Sequence, residues 1–452
     1  MYNLHYEKFQ DGTVKCIEDE IPFEVPDGWE WTRLASVLSL SSGKPLKVRQ
    51  LTSEEEFPVY GGNGINGTHS DYNVDSETII IGRVGYYCGS VYKTSSKAWV
   101  TDNALIATIK EQNVFDIDFL VAILKYLDLG KTSVSTAQPV VSGKGILPLI
   151  VPVPPKDEQN RINKSYSEIM PVIALIENDK EEVLALVSKT KSKILDLAIR
   201  GQLVPQDPND EPASILLEHI RAEKEGLIKQ GKIKRDKKES IIFKGEDNSY
   251  YEKIDDEVHC IDEELPFEIP KTWEWVRLQN CCTKEIRRGK SPKYTEQSNT
   301  LVFAQKCNTK YAGIDTGLAL YLDESTLSKY SDDEYMQDGD IVVNSTGTGT
   351  LGRIGFYRNY GNDVMLPIVP DSHVTVIRAC SSIQKFYLYI FMKANQHKLE
   401  KQGEGSTNQK ELKPLTLKNM LVPIPPYSEQ ERISAVITSA FSITSAIRRS
   451  LS

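Results

Sequence analysis

Residues Gly347–Gly352 read Gly-Thr-Gly-Thr-Leu-Gly after the strand-like run Asp-Ile-Val-Val-Asn, a spacing with which a backbone can cradle a dinucleotide pyrophosphate. That cradle needs a helix N-terminus directly after the glycines. Here "RIGFYRN" follows, which reads as another strand, so the match is a glycine-rich turn and no cofactor is expected. A phosphate-binding Walker loop also fails at Gly143-Lys144, because Gln138 stands where the first glycine belongs and Gly145 where Ser or Thr belongs.

"IPPY" (Ile424–Tyr427) has the outline of the Asn-Pro-Pro-Tyr segment of amino-methyltransferases, but Ile424 cannot accept from a target amine. The related Val153-Pro154-Pro155-Lys156 does no better, and both read as rigid connectors into a helix. No His, Cys or Ser stands in a recognisable catalytic arrangement, and Pro26-Asp27 lacks the acidic-x-Lys element of a nuclease. The chemistry that remains is recognition. Arg and Lys suit guanine edges and phosphates, Asn and Gln suit adenine, and Ser and Thr suit either, when carried on loops that allow close approach. The candidates are Lys44, Asn63, Asn66, Thr68, His69 and Arg83 in the first half of the chain. In the second half they are Arg287, Arg288, Lys290, Asn344, Ser345, Thr346, Thr348, Arg353, Asn408, Gln409 and Lys410. Polar glycine-rich stretches also make ordinary turns.

The elements that would carry these loops occur twice. "CIEDEIPFEVPDGWEWTRL" (Cys16–Leu34) and "CIDEELPFEIPKTWEWVRL" (Cys260–Leu278) agree at 12 of 19 positions, and "VPVPPKDEQNRI" from Val151 matches "VPIPPYSEQERI" from Val422 at 8 of 12. Offsets of 244 and 271 residues are far too long for a stacked solenoid. The chain is therefore a tandem duplication of whole domains, with constant frames around divergent interiors. Inside each copy, "ETIIIGRVGYYCGSVY" and "GDIVVNSTGTGTLGRIGFYR" read as strand, turn, strand, and each is followed by an apolar stretch suited to a packed helix. The fold class expected is α/β (α+β): two tandem mixed domains separated and closed by long, paired spacer helices. The boundaries are 1–150, a helical region 151–243, 244–421, and a distal helical region 422–452.

An apolar stripe through Ile162, Ile169, Ile173 and Ile176, matched by Ile433, Ile437 and Ile447, gives the two helices faces that suit pairing with each other or packing of each on its own domain. Asp157–Arg200 would span about 66 Å as one helix, with Pro171 expected to kink or break it. The net charge of −9 excludes a uniformly basic nucleic-acid coat, so any such binding rests on local arrangement. Seven scattered cysteines with no CxxC pair predict reduced, mostly packed thiols and no metal. No apolar run reaches membrane-spanning length and no signal peptide opens the chain, which points to the cytoplasm.

In the order of these phrases, with "WVTDNA" (Trp99–Ala104) and "RGQLVPQDPNDEPA" (Arg200–Ala213), the chain resembles the DNA-specificity subunit of type I restriction-modification systems. The resemblance implies a non-catalytic subunit that reads a split target in double-stranded DNA through two recognition domains, with the helices as a ruler. It also implies methyltransferase subunits and motor-nuclease restriction subunits as partners, carrying the S-adenosylmethionine, ATP and Mg that this chain lacks. The second copy departs from the first, because Ser452 maps onto Glu181 and no second "RGQLVPQDPNDEPA" follows. This implies a shortened distal helix and unequal docking. The alternative is a truncated or degenerate homologue acting only as a protein-binding scaffold.

Overall fold

The computed structural model describes residues 4–52, 56–94, 96–111, 113–133, 139–235, 240–310, 313–359, 366–403 and 410–451. The chain forms two compact units, Met1–Asn178 and Asp179–Ser452, whose boundary falls inside the helix Lys156–Ile199. That helix runs unbroken through Pro171, where the expected break does not occur. Proline removes one backbone donor, a loss that a helix of 44 residues absorbs locally.

In the first unit an antiparallel sheet orders its strands Leu38–Ser42, Ala104–Ile109, Ile79–Gly82 and Val91–Lys93. The central triplet Ile79, Ile80 and Ile81 is wholly buried, because successive strand side chains face opposite sides and both sides are covered. Ile79 and Ile81 join Leu34, Leu105, Phe119 and Leu124 in the main core. Ile80 joins Tyr60, Val100 and Ala104 in a second core. The helix Ile117–Tyr126 is capped by Asp116, whose side chain accepts from the Asp118 and Phe119 amides.

The second unit repeats this plan. Ile341 and Val343 enter its main core, and Val342 enters a separate one with Phe303 and Val376. The strand Ile341–Asn344 lies between Ile354–Phe356 and Val374–Ile377, and the expected apolar helix is Lys385–Ala394. The sheet built on Leu301–Phe303, parallel to Ile368–Pro370, answers a first-unit sheet in which Phe57–Gly61 runs parallel to Trp99–Val100 and pairs with Gly64–His69.

The repeated phrases close both units in the same way. Glu30–Arg33 pairs antiparallel with Ile150–Val153, and Glu274–Arg277 with Leu421–Ile424. The Trp29 indole donates to Glu158 at 3.0 Å, and the Trp273 indole to Glu429 at 2.9 Å. The following glutamine pins the core helix's entry: Gln159 accepts from the Asp116 amide and donates to Pro154, while Gln430 accepts from the Gln384 amide and donates to Pro425. Arg33 clasps Glu7 and Glu20 as Arg277 clasps Glu252 and Glu264.

The second half of the long helix shares a core with the last helix, Tyr427–Ser450, through Leu195, Ala198, Ile433 and Ile437. The contacts run antiparallel: Lys191 donates to Ser445, whereas Gln206, beyond the helix end, donates to Glu429. The pairing face expected at Ile162, Ile169, Ile173 and Ile176 is corrected accordingly. Ile162 packs on the first unit's core, and Ile169, Ile173 and Ile176 are 54%, 41% and 61% exposed. Ile447 is also exposed, at 38%. A register shift of sequence offsets cannot show which half of a 44-residue helix meets a partner.

Two outcomes test this account. Trp273→Ala is expected to cost about 3–5 kcal/mol in urea unfolding, and Trp29→Ala distinctly less, because Trp273 is buried and Trp29 half-buried. Hydrogen bonds from Arg33 and then Lys15 lower the Glu20 carboxyl to about 2 from its ordinary 4.5. Its depressed folded value means a stabilising contribution present above pH 4.5 and lost as pH falls toward 2. In an NMR titration, Arg33→Ala should raise Glu20 toward the ordinary carboxylate range, with Lys15 still holding it somewhat below.

Candidate nucleic-acid interface

In both units the loop after the central buried strand is built on one hydrogen-bond plan. In the first, Arg83–Ser90 joins Ile79–Gly82 to Val91–Lys93, and the Gly89 amide returns to the Gly82 carbonyl at 2.7 Å. In the second, Ser345–Arg353 joins Ile341–Asn344 to Ile354–Phe356, and the Gly352 amide returns to Asn344 at 2.8 Å. The loop bases are then tied to a downstream segment, Val141 to Arg83 and Leu412 to Ser345. Gly352, at φ +74°, cannot be replaced cheaply, since a Cβ there would stand 2.6 Å from the Glu400 amide nitrogen. Gly89 faces Gly130 in the same manner, at φ +87°.

What the two loops present differs. In the first unit Tyr86 is 90% exposed at the tip, with its ring edge-to-face on Tyr87. Arg83 donates to Ser42 at 3.2 Å, bringing it beside the end of strand Leu38–Ser42 and next to Lys44 in sequence. The Lys44 side chain is exposed while its backbone is held by Val100 and the Trp99 indole. Asn63 and Asn66 are exposed on a neighbouring hairpin; Thr68 bridges to Thr52, and His69 packs edge-on to Trp99. The sequence reading placed a turn here but missed Tyr86 and Tyr87, because it sought only side chains that hydrogen-bond base edges or phosphates. Two adjacent aromatics between Gly85 and Gly89 were the available signal.

In the second unit Thr348 occupies the exposed tip. Gly347–Leu351 lines a cavity of about 520 Å³ with the cations Lys310, Arg353, Lys393 and Lys410, and with Glu400. Arg353 is spent on the Asn308 and Gly349 carbonyls. Lys393 is spent on Gln396 and the Ile354 carbonyl, and burial lowers its ammonium pKa. Lys410 is exposed, with no hydrogen bond or ion pair among the described residues, and is thus the cation most available to an anion.

Several candidates are corrected by burial. Asn344 and Ser345 are fully buried: Asn344 donates to the Gln305 carbonyl and accepts from Asn308, and Ser345 shares a hydrogen bond with Thr375. They hold the loop's base and cannot reach a ligand. Thr346 is bonded to His373. Arg287 and Lys290 both pair with Glu334, which is 2% exposed and also faces Lys284, while Arg288 pairs with Glu411 at 3.0 Å. Each is thus engaged by a carboxylate in place, Arg287 and Lys290 sharing a single one. Asn408 and Gln409 lie outside the described residues. Among the described residues no His, Cys, Asp and Glu cluster is arranged to hold a metal.

Two mixed α/β units, each presenting a differently furnished loop on the same frame, define a duplicated two-domain protein. The chain belongs to the family described as type I restriction modification DNA specificity domain, whose model matches residues 26–185 and 270–451. It is 32% identical over 265 residues to the type I restriction enzyme EcoAI specificity subunit of Escherichia coli, covering 57% of this chain and 40% of that protein. It is 31% identical over 265 residues to the EcoEI specificity subunit of the same organism, covering 55% and 38%. The matched region thus spans about two fifths of the length of these relatives. A solved structure, described as bearing on complex assembly and conformational transition of the type I R-M system, superposes with a TM-score of 0.56. At 16% identity, covering 95% of this chain and 94% of that one, it shares the fold.

Glu334→Ala is expected to destabilise the second unit by about 1–3 kcal/mol, because it leaves the buried Lys284 ammonium with Asp333 alone, through its carbonyl at 2.7 Å and its carboxylate at 3.5 Å. Arg287→Ala, at a half-exposed site, should cost far less. Thermal melts of both variants check the ordering.

Proposed function

We propose that this chain is the DNA-reading subunit of a type I restriction-modification complex. Residues 1–150 and 244–421 each read one half of a bipartite duplex target, and the helical regions 151–243 and 422–452 hold the readers apart. The observation that carries this reading is the shared loop frame with exchanged tips: Tyr86 in one copy, Thr348 and Lys410 in the other. A common scaffold with different tips is what two half-sites of different sequence require, since bases are distinguished by the side chains that reach their edges. Phosphate contacts supply affinity without sequence information, a role suited to Lys410 and Lys44.

The chain is non-catalytic in this reading. Methyltransferase subunits, with S-adenosylmethionine, and motor-nuclease subunits, with ATP and Mg, bring the chemistry. Exposed Ile169, Ile173 and Ile176 support helix docking by those subunits, since contiguous apolar residues on a surface mark association sites. The complex acts in the cytoplasm; no helix among the described residues is long and apolar enough to cross a membrane.

Methylation mapping of DNA from cells co-expressing the chain with its methyltransferase is expected to reveal one split motif, lost when the chain is deleted. Tyr86→Ala should relax only one half of that motif. Lys410→Ala should weaken binding to all sequences and reduce the salt-dependence slope by about 1. An assembled complex that methylates no motif would instead return the chain to a protein-binding scaffold.

A further inference from the structure

A tight turn links Trp99–Val100 to Ala104–Ile109 in the first unit and Ile368–Pro370 to Val374–Ile377 in the second, and the same backbone bonds hold both turns. The Thr101 amide donates to the Tyr60 carbonyl at 2.9 Å, and the Asp371 amide to that of Phe303 at 3.1 Å. Ala104 closes the first turn on the Thr101 carbonyl at 3.1 Å, and Val374 closes the second on Asp371 at 3.2 Å. The Gly43 amide reaches the Ala104 carbonyl at 3.2 Å, as the Gly289 amide reaches Val374 at 2.9 Å. The loop after the central strand hangs on the same turn. The Arg83 amide donates to the Asn103 carbonyl at 2.9 Å, and the Ser345 amide to that of His373 at 2.8 Å. Both glycines are required by the approach: a Cβ on Gly43 would stand 2.2 Å from the Thr101 carbonyl oxygen, and one on Gly289 2.3 Å from that of Pro370.

Asn103 and His373 therefore stand at one position of a shared frame, and both are exposed. The Asn103 side-chain amide has no hydrogen bond among the described residues. His373 is oriented by Thr346, whose hydroxyl lies 2.7 Å from Nδ1, and its Nε2 has no bond among the described residues. The exposed loops of each unit meet at these turns. Lys44 is bound through its amide to Val100, and a Cβ on Gly62, in the hairpin that carries Asn63, would stand 3.2 Å from the Asn103 carbonyl oxygen. Tyr86 lies three residues beyond Arg83. In the second unit Thr346, bonded to His373, also forms a β-bridge with Glu411, next to Lys410.

We propose that Asn103 and His373 are equivalent specificity-determining positions, each reading one base edge in its own half of a split duplex target. The inference rests on the DNA-reading role proposed above and deepens it. A side-chain amide offers one donor and one acceptor in a plane, the pattern that pairs with N7 and the exocyclic amine of adenine. Asp102, exposed beside Asn103, repels phosphate but can accept from a base amine, so this turn suits a groove edge and not the sugar-phosphate backbone. An imidazole held at Nδ1 offers a single contact at Nε2, which favours one base less strongly than a two-point contact does. The frame is constant, and the residue placed on it decides which base is preferred.

Methylation mapping of DNA from cells co-expressing the full chain with its cognate methyltransferase tests this, comparing wild type with Asn103→Ala, Asn103→Asp and His373→Ala. Asn103→Ala is expected to reduce the discrimination for adenine at one position of one half-site about tenfold, with the other half unchanged. Asn103→Asp keeps the shape but loses the donor to N7, so that position should move from adenine toward cytosine, a change that a merely structural role would not produce. His373→Ala should relax one position of the other half. Both side chains are exposed, so the purified variants should melt with the wild type. A split motif kept at every position by all three variants, or methylation that falls with the motif unaltered, overturns this proposal and leaves the DNA-reading role standing. A wild-type complex that methylates no motif removes that role, and this proposal with it.

Discussion

Each unit depends on one long-range closure. A tryptophan near the start of the unit donates its indole hydrogen to a glutamate at the start of the closing helix, across 129 residues in one copy and 156 in the other. Bringing such distant segments together costs loop entropy that grows only slowly with length, so one well-buried contact set can close interiors of different size. The strand pairs Glu30–Arg33 with Ile150–Val153 and Glu274–Arg277 with Leu421–Ile424 supply the rest of that contact set. The glutamines beside the glutamates then satisfy the backbone groups at the mouth of the helix, where unmet donors and acceptors would be costly.

Because closure is made at the ends, the interior is free to diverge. The second unit holds a four-stranded side sheet where the first has three strands, and a run of short 3-10 turns between Gln305 and Glu334, yet its central strand, loop and following helix occupy the same roles as in the first. The loop is held at its base by backbone bonds, Gly89 to Gly82 and Gly352 to Asn344, which do not depend on the tip residues. Tip side chains can therefore change without disturbing the frame. This is the physical basis on which one duplicated gene product can present an aromatic pair in one place and a threonine with a free lysine in the other.

The two copies are alike in sequence where they close and unequal in what covers them. Trp273 is 2% exposed under the Gly201–Ala213 segment, whereas Trp29 stays half-buried. Burial also raises the Glu429 carboxyl above its ordinary value, against the lowering effect of the bonds from Trp273 and Gln206. The same carboxylate thus works in a drier setting in the second unit. Identical phrases do not guarantee identical environments, since environment is set by what packs on top.

Much of this was written in the chain. The duplication, the closing phrases, the long helix and the strand-turn-strand of each interior all follow from local residue type and periodicity, and Ile354–Phe356 forms the strand expected after the glycines. The choice among polar candidates did not. Asn344 and Lys410 look equally eligible in a glycine-rich stretch, but one is sealed beneath the loop by Asn308 and Gln305 and the other stands in water. Likewise Arg287 and Lys290 read as free cations until Glu334, more than 40 residues away, is found buried against them. The sequence by itself determined the frame, because hydrophobic period and repeated phrases act locally. Only the tertiary structure decided which polar groups remain unspent, because that depends on partners brought together from distant parts of the chain.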